Sequence, residues 1–105
     1  MKKITAIIVN WNDKNVIGEC IQSTLNQDID QIDIIVSDNG SKDGSIDYIR
    51  KSFPSVQILE NCKNLGFGSA INKGFAVAKG DYLIFLNSDL KLNPKCIGEL
   101  AKLLE

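Results

Sequence analysis

The chain has 105 residues, of which 44% are hydrophobic and 24% are charged, and its formal net charge is −1. This length and composition predict one globular domain over residues 1–105 and exclude disordered and fibrous proteins. Because no basic stripe accompanies the near-zero charge, a nucleic-acid partner is not expected.

The first apolar segment, ITAIIV at residues 4–9, follows two lysines and at first resembles a secretion signal. Polar residues from Asn10 onward interrupt it before the about 7–15 apolar residues of such a signal are complete. No other run approaches the roughly 20 apolar residues that span a membrane. We therefore predict a cytoplasmic protein without a transmembrane segment.

Four short apolar segments, rich in β-branched residues, predict strands that are covered on both faces; they lie at residues 4–9, 32–36, 56–59 and 82–86. Apolar residues at helical spacing predict a helix after each strand. The predicted apolar faces are Val16, Ile17, Cys20, Ile21 and Leu25; Ile46, Ile49 and Phe53; Ala70, Ile71, Phe75 and Ala78; and Ile97, Leu100, Ala101 and Leu104.

Capping residues predict where the helices begin and end. The predicted starts are Asn12 or Asp13, Asp43, and Asn93 with Pro94; the predicted ends are Pro54 and a left-handed Gly80. Gly74 inside the third helix costs about 1 kcal/mol relative to alanine unless close packing requires it.

The alternation of strands and helices predicts an α/β fold, a Rossmann-like open parallel sheet of strand order 3-2-1-4 with flanking helices. Ligands of such sheets bind outside the carboxyl ends of the strands, where the strand order reverses. This reversal point lies between the first and fourth strands. A binding crevice is therefore expected there.

Polar residues follow three of the predicted strands: NWN at 10–12, SDNGSKDGS at 37–45 and NSD at 87–89. Each residue alone is a common turn or cap residue, but their coincidence favours a site. Asp38 and Asp89 are the carboxylates that could share the crevice. A hard cation such as Mg²⁺ binds one or two carboxylates plus phosphate oxygens, so Asp89 suggests a metal-bridged diphosphate. Asp38 could accept a hydrogen bond from a ribose hydroxyl or a base.

The loop NLGFGSAINKG at 64–74 opens the third helix with Gly66 and Gly68, which allow close backbone approach beside a helix N-terminus. It is a weak motif, since the first strand lacks the dinucleotide fingerprint and no Walker A sequence occurs. The chain has no histidine, so acid–base chemistry must use other groups. Its three cysteines lack disulfide or zinc spacing and are predicted to be free thiols serving as small apolar residues.

Taken together, VNWN at 9–12, DNGSKDGS at 38–45, NLGFGSAINKG at 64–74 and LNSD at 86–89 resemble the N-terminal half of a family 2 glycosyltransferase of the GT-A fold. The similarity is greatest to the rhamnosyltransferase-like branch and covers essentially the whole chain. It implies a nucleotide-diphosphate sugar donor (UDP-, GDP- or dTDP-linked), Mg²⁺ or Mn²⁺, and inverting glycosyl transfer to an acceptor hydroxyl.

The resemblance also implies roles for individual residues. Asn87-Ser88-Asp89 occupies the place of the family's DXD motif, with Asp89 as the metal ligand; neutral Asn87 replaces the first acid, which should weaken metal binding. Trp11 could stack near the nucleotide or pack beside the first helix. The implied donor-binding residues are Val9, Asn10, Trp11, Asn12, Asp38, Asn39, Gly66, Asn72 and Asn87.

Members of this family generally run to more than twice this length and take their general base from the later half. Residues 1–105 are therefore expected to form a donor-binding domain without the acceptor half, incomplete for catalysis alone, and no catalytic residue is assigned. Glu99 and Glu105 are most simply a solvated helix face. The edge of the fourth strand would be exposed, so we expect a homodimer or higher oligomer that covers it.

Two other readings are open at this point. The chain could be a truncated, non-catalytic assembly module that keeps the fold without a ligand. A phospho-receiver module would need an acidic pair after the first strand and an acceptor aspartate after the third. The sequence disfavours it, since it offers only Asp13 and Glu60 there.

Overall fold

The computed structural model describes residues 2–104, which form a single parallel sheet of four strands with flanking helices. The strand order β3-β2-β1-β4 confirms the predicted fold. The elements are β1 Ile4–Asn10, α1 Lys14–Leu25, β2 Ile32–Asp38, α2 Ser45–Ser52, β3 Gln57–Glu60, α3 Phe67–Val77, β4 Tyr82–Asn87 and α4 Cys96–Lys102.

The register of the sheet brings the polar strand ends to one edge. Asn10 of β1 pairs with Asp38 of β2, and Val9 pairs with Asn87 of β4. Each strand extends by one or more polar residues beyond its predicted apolar segment, because these residues continue the backbone ladder. The loops that follow β1, β2 and β4 therefore lie side by side.

The main core lies between one face of the sheet and helices α1 and α2. Side chains alternate along a strand, so Ile8, Val36 and Leu86 share this face and are buried there. Ile17 and Ile21 of α1 are fully buried against them. Helix α4 covers the same face nearer the start of the strands, where Ile97 and Ala101 pack on Ile4.

Helix α3 packs on the opposite face at unusually close range. A Cβ atom added to Gly74 would lie 2.6 Å from Cγ2 of Ile7, closer than real carbon atoms approach. Close packing therefore requires glycine at position 74, which accounts for its place inside the helix. Ala70 and Ile71 complete the buried side of the helix.

Two predicted helix starts need correction. Helix α2 begins at Ser45, after Gly44 with φ of 84°, rather than directly after Asp43. Helix α4 begins at Cys96, two residues later than Asn93-Pro94 predicts, because Pro94 and Lys95 form a turn before it. Helix α2 does end before Pro54, as predicted.

Gly80 is not the left-handed cap of α3. The helix ends at Val77, and Ala78 is already extended, with φ of −69° and ψ of 140°. A Cβ on Gly80 would lie 2.7 Å from the backbone nitrogen of Thr5. Glycine is needed there because the chain passes close to β1, where the Gly80 N–H donates to Thr5 Oγ1 at 2.9 Å.

Several predicted core positions are exposed. Phe75 is 57% exposed because it lies one residue past the Gly74 contact, on the outer side of α3. Strand β4 is not covered on both faces: Phe85 is 49% exposed and Ile84 only partly buried, since β4 is an edge strand within residues 2–104. The other exposed members of the predicted faces are Val16, Leu100 and Leu104.

Candidate functional site

A cavity of about 360 Å³ opens at the carboxyl ends of β1 and β4, beside the start of α3. It lies at the predicted reversal of strand order, between the first and fourth strands. The residues lining it are Val9, Trp11, Asp13, Phe67, Asn87, Ser88 and Asp89.

The cavity contains some of the residues implied by the sequence and not others. Val9, Trp11, Asn87 and Asp89 line it. Asn72 is an exposed residue of α3 and Gly66 is the exposed residue that precedes this helix. The implied residues outside the cavity lining are Asn10, Asn12, Asp38, Asn39, Gly66 and Asn72.

Asn10 and Asp38 form the centre of a buried polar network beneath the strand ends. Both are fully buried, and Asn10 Nδ2 donates to Asp38 Oδ1 at 2.7 Å and to Ser45 Oγ at 2.8 Å. The Asp38 carboxylate also accepts from the N–H groups of Gly40 and Ser41 at 3.0 and 2.9 Å. Within residues 2–104 no buried side-chain nitrogen or oxygen lacks a partner. Asp38 therefore organises the turn after β2.

Asn12 joins the loop after β1 to the loop after β2. Its φ of 55° is left-handed, a conformation that asparagine tolerates better than most residues. The turned backbone lets the Asn12 N–H donate to Ser41 Oγ at 2.8 Å, while Asn12 Oδ1 accepts from the Lys42 N–H at 2.7 Å. The two loops are thus held as one unit.

Asn39 makes the corresponding connection to the loop before α3. Its Nδ2 donates to the Gly66 carbonyl at 3.2 Å, and its Oδ1 accepts from Asn61 Nδ2 at 3.1 Å. Gly66 has φ of 83°, where a side chain would be strained. Asn39 therefore fixes the backbone position from which α3 starts.

Two aromatic side chains form part of the cavity wall. Trp11 and Phe67 are each 52% exposed. This exposure does not favour the alternative in which Trp11 packs against the first helix. Flat exposed rings beside a polar cavity suit stacking against a planar ligand group.

The N-terminus of α3 provides backbone donors next to Phe67. The first intrahelical bond runs from the Ala70 N–H to the Gly66 carbonyl, at 3.2 Å. The N–H groups of residues 67–69 therefore have no acceptor within the helix. A Cβ on Gly68 would meet nothing within 4 Å, so this end of the helix is open.

Asp13, Ser88 and Phe67 line the cavity, although none of them is among the individual donor-binding or metal-binding residues that the sequence implied. Ser88 Oγ donates to Asp13 Oδ2 at 2.6 Å, which links the loop after β4 to the start of α1. Asp13 follows NWN directly, Phe67 lies between the two glycines, and Ser88 is the middle residue of NSD. The sequence signal that could have found these three residues is that each lies beside or within one of the quoted motifs.

Cys20 of α1 packs against the end of β4, where the loop after this strand begins. It is fully buried, and its Sγ donates to the Asn87 carbonyl at 3.5 Å. Burial raises the pKa of the Cys20 thiol to about 11. The group is therefore neutral at physiological pH and serves as a small packing residue, as predicted.

The side chains at the end of β4 suit a hard divalent cation shared with a ligand. Asp89 is exposed, and no ion pair among residues 2–104 involves it. No set of three or more histidine, cysteine, aspartate or glutamate side chains in this part of the chain is arranged to hold a metal ion. A carboxylate and an amide oxygen, from Asp89 and Asn87, fit a Mg²⁺ or Mn²⁺ ion that takes its other ligands from phosphate and water.

The helices described for residues 2–104 include none with the length and apolar character required to cross a membrane.

An open parallel sheet with a polar cavity at its reversal point defines a doubly wound α/β domain with a crevice where ligands of such sheets bind. The particular family follows from comparison with known sequences. The chain belongs to glycosyl transferase family 2, whose family model matches residues 5–105. Among curated relatives, poly(ribitol-phosphate) beta-glucosyltransferase of Bacillus spizizenii is 34% identical over 93 residues, which are 83% of this chain and 15% of that enzyme.

Solved structures show the same fold. Mannosyltransferase PcManGT from Pyrobaculum calidifontis, in complex with GDP-Man and Mn²⁺, matches with a TM-score of 0.91 at 21% identity, over 98% of this chain and 32% of that one. S. aureus TarS 1-349 in complex with UDP matches with a TM-score of 0.87 at 21% identity, over 97% and 32% of the two chains. The chain spans 15% of that Bacillus enzyme and 32% of each of these two structures, so it matches only part of their length. The GT-A assignment of its fold is confirmed.

Proposed function

We propose that this chain is the donor-binding part of a glycosyltransferase that holds a nucleotide-diphosphate sugar together with Mg²⁺ or Mn²⁺. The observation that carries the proposal is the exposed carboxylate of Asp89, in one cavity with Asn87, Trp11 and the start of α3. The GDP-Man, UDP and Mn²⁺ bound by structurally similar proteins support this ligand class. UDP-, GDP- and dTDP-linked sugars are all candidate donors.

The protein's own groups would each engage one part of the donor. Asp89, with Asn87, would hold the cation, which when bound neutralises the diphosphate. The open N–H groups at the start of α3 favour a ligand's negative charge. The ring of Trp11 would stack on the base, and Val9 lines the adjoining wall of the cavity.

The remaining residues implied by the sequence lie beneath or beside the proposed ligand position, and most of them support the groups that would contact it. Asn10 and Asp38 hold the strand ends together, and Asn12 fixes the loop that carries Trp11. Asn39 and Gly66 set the position of the start of α3. Asn72 lies on an exposed turn of that helix and is proposed only as an outer contact.

Inverting transfer to an acceptor hydroxyl is proposed for the whole enzyme. That reaction needs a general base, and we assign none within residues 2–104. Glu99 is exposed on α4 and forms a long ion pair with Lys102, as a solvated face does. The interpretation of Glu105 falls outside the described residues. The cytoplasmic location stays a prediction.

Calorimetric titration tests the donor site directly. UDP, GDP and dTDP are titrated with and without Mn²⁺ into the wild type and Asp89→Asn. We expect Mn²⁺-dependent binding of at least one nucleotide, weakened about tenfold or more by Asp89→Asn. The matched control is Asp30→Asn, an exposed acid that precedes β2 at the other end of the sheet. Absence of binding by all three nucleotides, or equal binding by wild type and Asp89→Asn, contradicts the proposal.

A second candidate function is self-assembly, which one observation favours. Helix α4 and the edge of β4 enclose an apolar groove of about 130 Å³. Its lining residues are Ile4, Tyr82, Leu83, Ile84, Ile97, Leu100, Ala101 and Leu104. We propose that a homodimer or higher oligomer covers this edge, in addition to the donor site.

Light scattering tests the assembly. The wild type at tens of micromolar should have at least twice the monomer mass, and Leu100→Lys should dissociate it because Leu100 is a half-exposed residue of α4 that lines the groove. Phe75→Lys, an exposed position on α3 outside the groove, is the control and should not. A monomeric wild type would count against assembly and leave the donor site unaffected.

A further inference from the structure

The carboxylate of Asp13 has an unusual partner for its position. Asp13 is the residue at the N-cap of α1, and its backbone carbonyl accepts from the N–H groups of Val16 and Ile17 at 3.0 and 2.9 Å. An aspartate at this position ordinarily uses its side chain to cap the helix, which contributes about 1 kcal/mol. Here no side-chain capping bond forms, and the carboxylate instead accepts from Ser88 Oγ at 2.6 Å.

Another carboxylate takes over part of the capping role. The N–H of Lys14, the first residue of α1, donates to Asp43 Oδ2 at 3.0 Å. The start of α1 therefore has an acceptor from the loop after β2. The side chain of Asp13 is consequently not needed as a cap and can bond to Ser88 in the cavity wall.

The bond to Ser88 joins the two walls of the cavity. Ser88 lies between Asn87 and Asp89, so its anchoring restrains the turn that carries the proposed metal ligand. On the other side, the N–H of Trp11 points to the same Asp13 oxygen at 3.4 Å, a long contact. Because the Ser88 hydroxyl gives its only proton to Asp13, its oxygen can present only lone pairs to a ligand.

We infer that Asp13 is a positioning residue: through Ser88 it holds the Asn87-Ser88-Asp89 turn in the arrangement that binds a cation-bridged diphosphate. This inference rests on the proposed donor site. Outer groups that orient metal ligands commonly affect metal affinity by about 10- to 100-fold. Because Asn87 is neutral, Asp89 supplies the only carboxylate of this turn. The affinity for the cation therefore depends more strongly on how that carboxylate is oriented.

A double-mutant cycle tests the inference. The nucleotide that binds the wild type best is titrated, with and without Mn²⁺, into Asp13→Ala, Ser88→Ala and the double variant. We expect each single change to weaken Mn²⁺-dependent affinity by about tenfold, and the double change to weaken it no further. Metal-free nucleotide affinity should change little. The electron paramagnetic resonance spectrum of Mn²⁺ in the complex should broaden or shift in both single variants.

The control is another bond between α1 and the segment after β4. Ser23 Oγ accepts from the Leu92 N–H at 2.9 Å, outside the cavity. Ser23→Ala should lower the melting temperature yet keep the Mn²⁺-dependent affinity, which separates positioning from general stability.

Each outcome discriminates between the two proposals. If the wild type binds no nucleotide, the proposed function fails and this inference fails with it. If the wild type binds and neither single variant changes the Mn²⁺ dependence, only the inference is overturned. If Asp13→Ala weakens binding further in the Ser88→Ala background, Asp13 contacts the cation or ligand directly, and a positioning role through Ser88 is wrong.

Discussion

Asn10 Nδ2 and Asp38 Oδ1 lie 2.7 Å apart at the last paired position of β1 and β2, and both side chains are fully buried. The same amide nitrogen reaches Ser45 Oγ, so one side chain joins two strands and the start of α2. A buried carboxylate is tolerated only when it is well hydrogen-bonded. The Asn10 amide is therefore a structural requirement of the strand ends.

Asn10→Ala should destabilise the fold more than a substitution that breaks a polar contact at the surface. It removes a donor from a buried carboxylate, which we expect to lower the free energy of unfolding by about 3 kcal/mol. Urea unfolding measures this through a lower midpoint at an unchanged slope. Asp33→Asn, which breaks only the exposed Lys3–Asp33 pair, should cost less than about 1 kcal/mol. Equal losses in the two variants would contradict the role of the network.

The same pair illustrates how far the sequence could predict the site. The strand order and the position of the crevice follow from alternating apolar segments, because parallel strands bring their carboxyl ends to one edge. Whether a polar residue at such an end faces the cavity or a neighbouring loop depends on strand alternation and local hydrogen bonds. Asn10 and Asp38 turn into the protein, whereas Asn87 and Asp89 line the cavity.

The positions that the sequence missed depend on contacts between distant segments. Asp13 looked like a helix cap, and only the folded chain places it beside Ser88, 75 residues later. Phe75 fitted the apolar period of α3, yet the close approach at Gly74 turns it outward. Periodicity predicts a helix and its approximate face, but not the exact rotation at which it packs.

Two glycines of α3 should respond oppositely to replacement by alanine. Gly74→Ala places a methyl group 2.6 Å from Ile7 Cγ2, and overpacking of this kind costs about 1–3 kcal/mol. Gly68→Ala meets nothing within 4 Å and should stabilise the helix by about 0.5–1 kcal/mol. Melting temperatures of the two variants check the prediction. A Gly74→Ala variant as stable as the wild type would show that the α3 contact is looser than described.

Asp43 should contribute stability that depends on pH. Burial acts to raise the pKa of Asp43, but hydrogen bonds from the side chain of Ser45 and from the N–H groups of Lys14 and Ser45 outweigh it and lower this pKa below its ordinary value of 3.8. The group is thus more acidic folded than unfolded. Its contribution is present above the unfolded pKa and is lost as the pH falls through the folded pKa.

Asp43→Ala should therefore lower stability at pH 7, by about 1 kcal/mol as for a lost cap. The difference from the wild type should shrink as the pH falls from about 3.8, the ordinary pKa, through the lower pKa of the folded state. Melting temperatures measured from pH 7 downward test this, with the exposed Asp30→Ala as control. A difference that stays constant with pH would show that the charge of Asp43 is not responsible.

The three cysteines should react with thiol reagents at very different rates. Cys62 is exposed and Cys96 is partly buried, whereas Cys20 is fully buried with a pKa of about 11. At pH 8 only about one part in a thousand of the Cys20 thiol is ionised, so even contact with reagent gives little reaction. We expect rapid modification of Cys62 and modification of Cys20 only on unfolding, as measured by mass spectrometry of quenched samples. Rapid labelling of Cys20 in the native protein would contradict its burial.

Trp11 is the only tryptophan of the chain and is half-exposed on the cavity wall, which makes its fluorescence a direct reporter of the proposed site. A nucleotide base that stacks on the ring should quench the emission, and the quenching should follow the same binding curve as calorimetry. Trp11→Phe keeps an aromatic ring but removes the signal; it should retain most of the affinity, whereas Trp11→Ala should lose about 1–3 kcal/mol of stacking. If calorimetry detects nucleotide binding but the emission does not change, the base lies away from Trp11. This wall of the cavity then contacts another part of the donor.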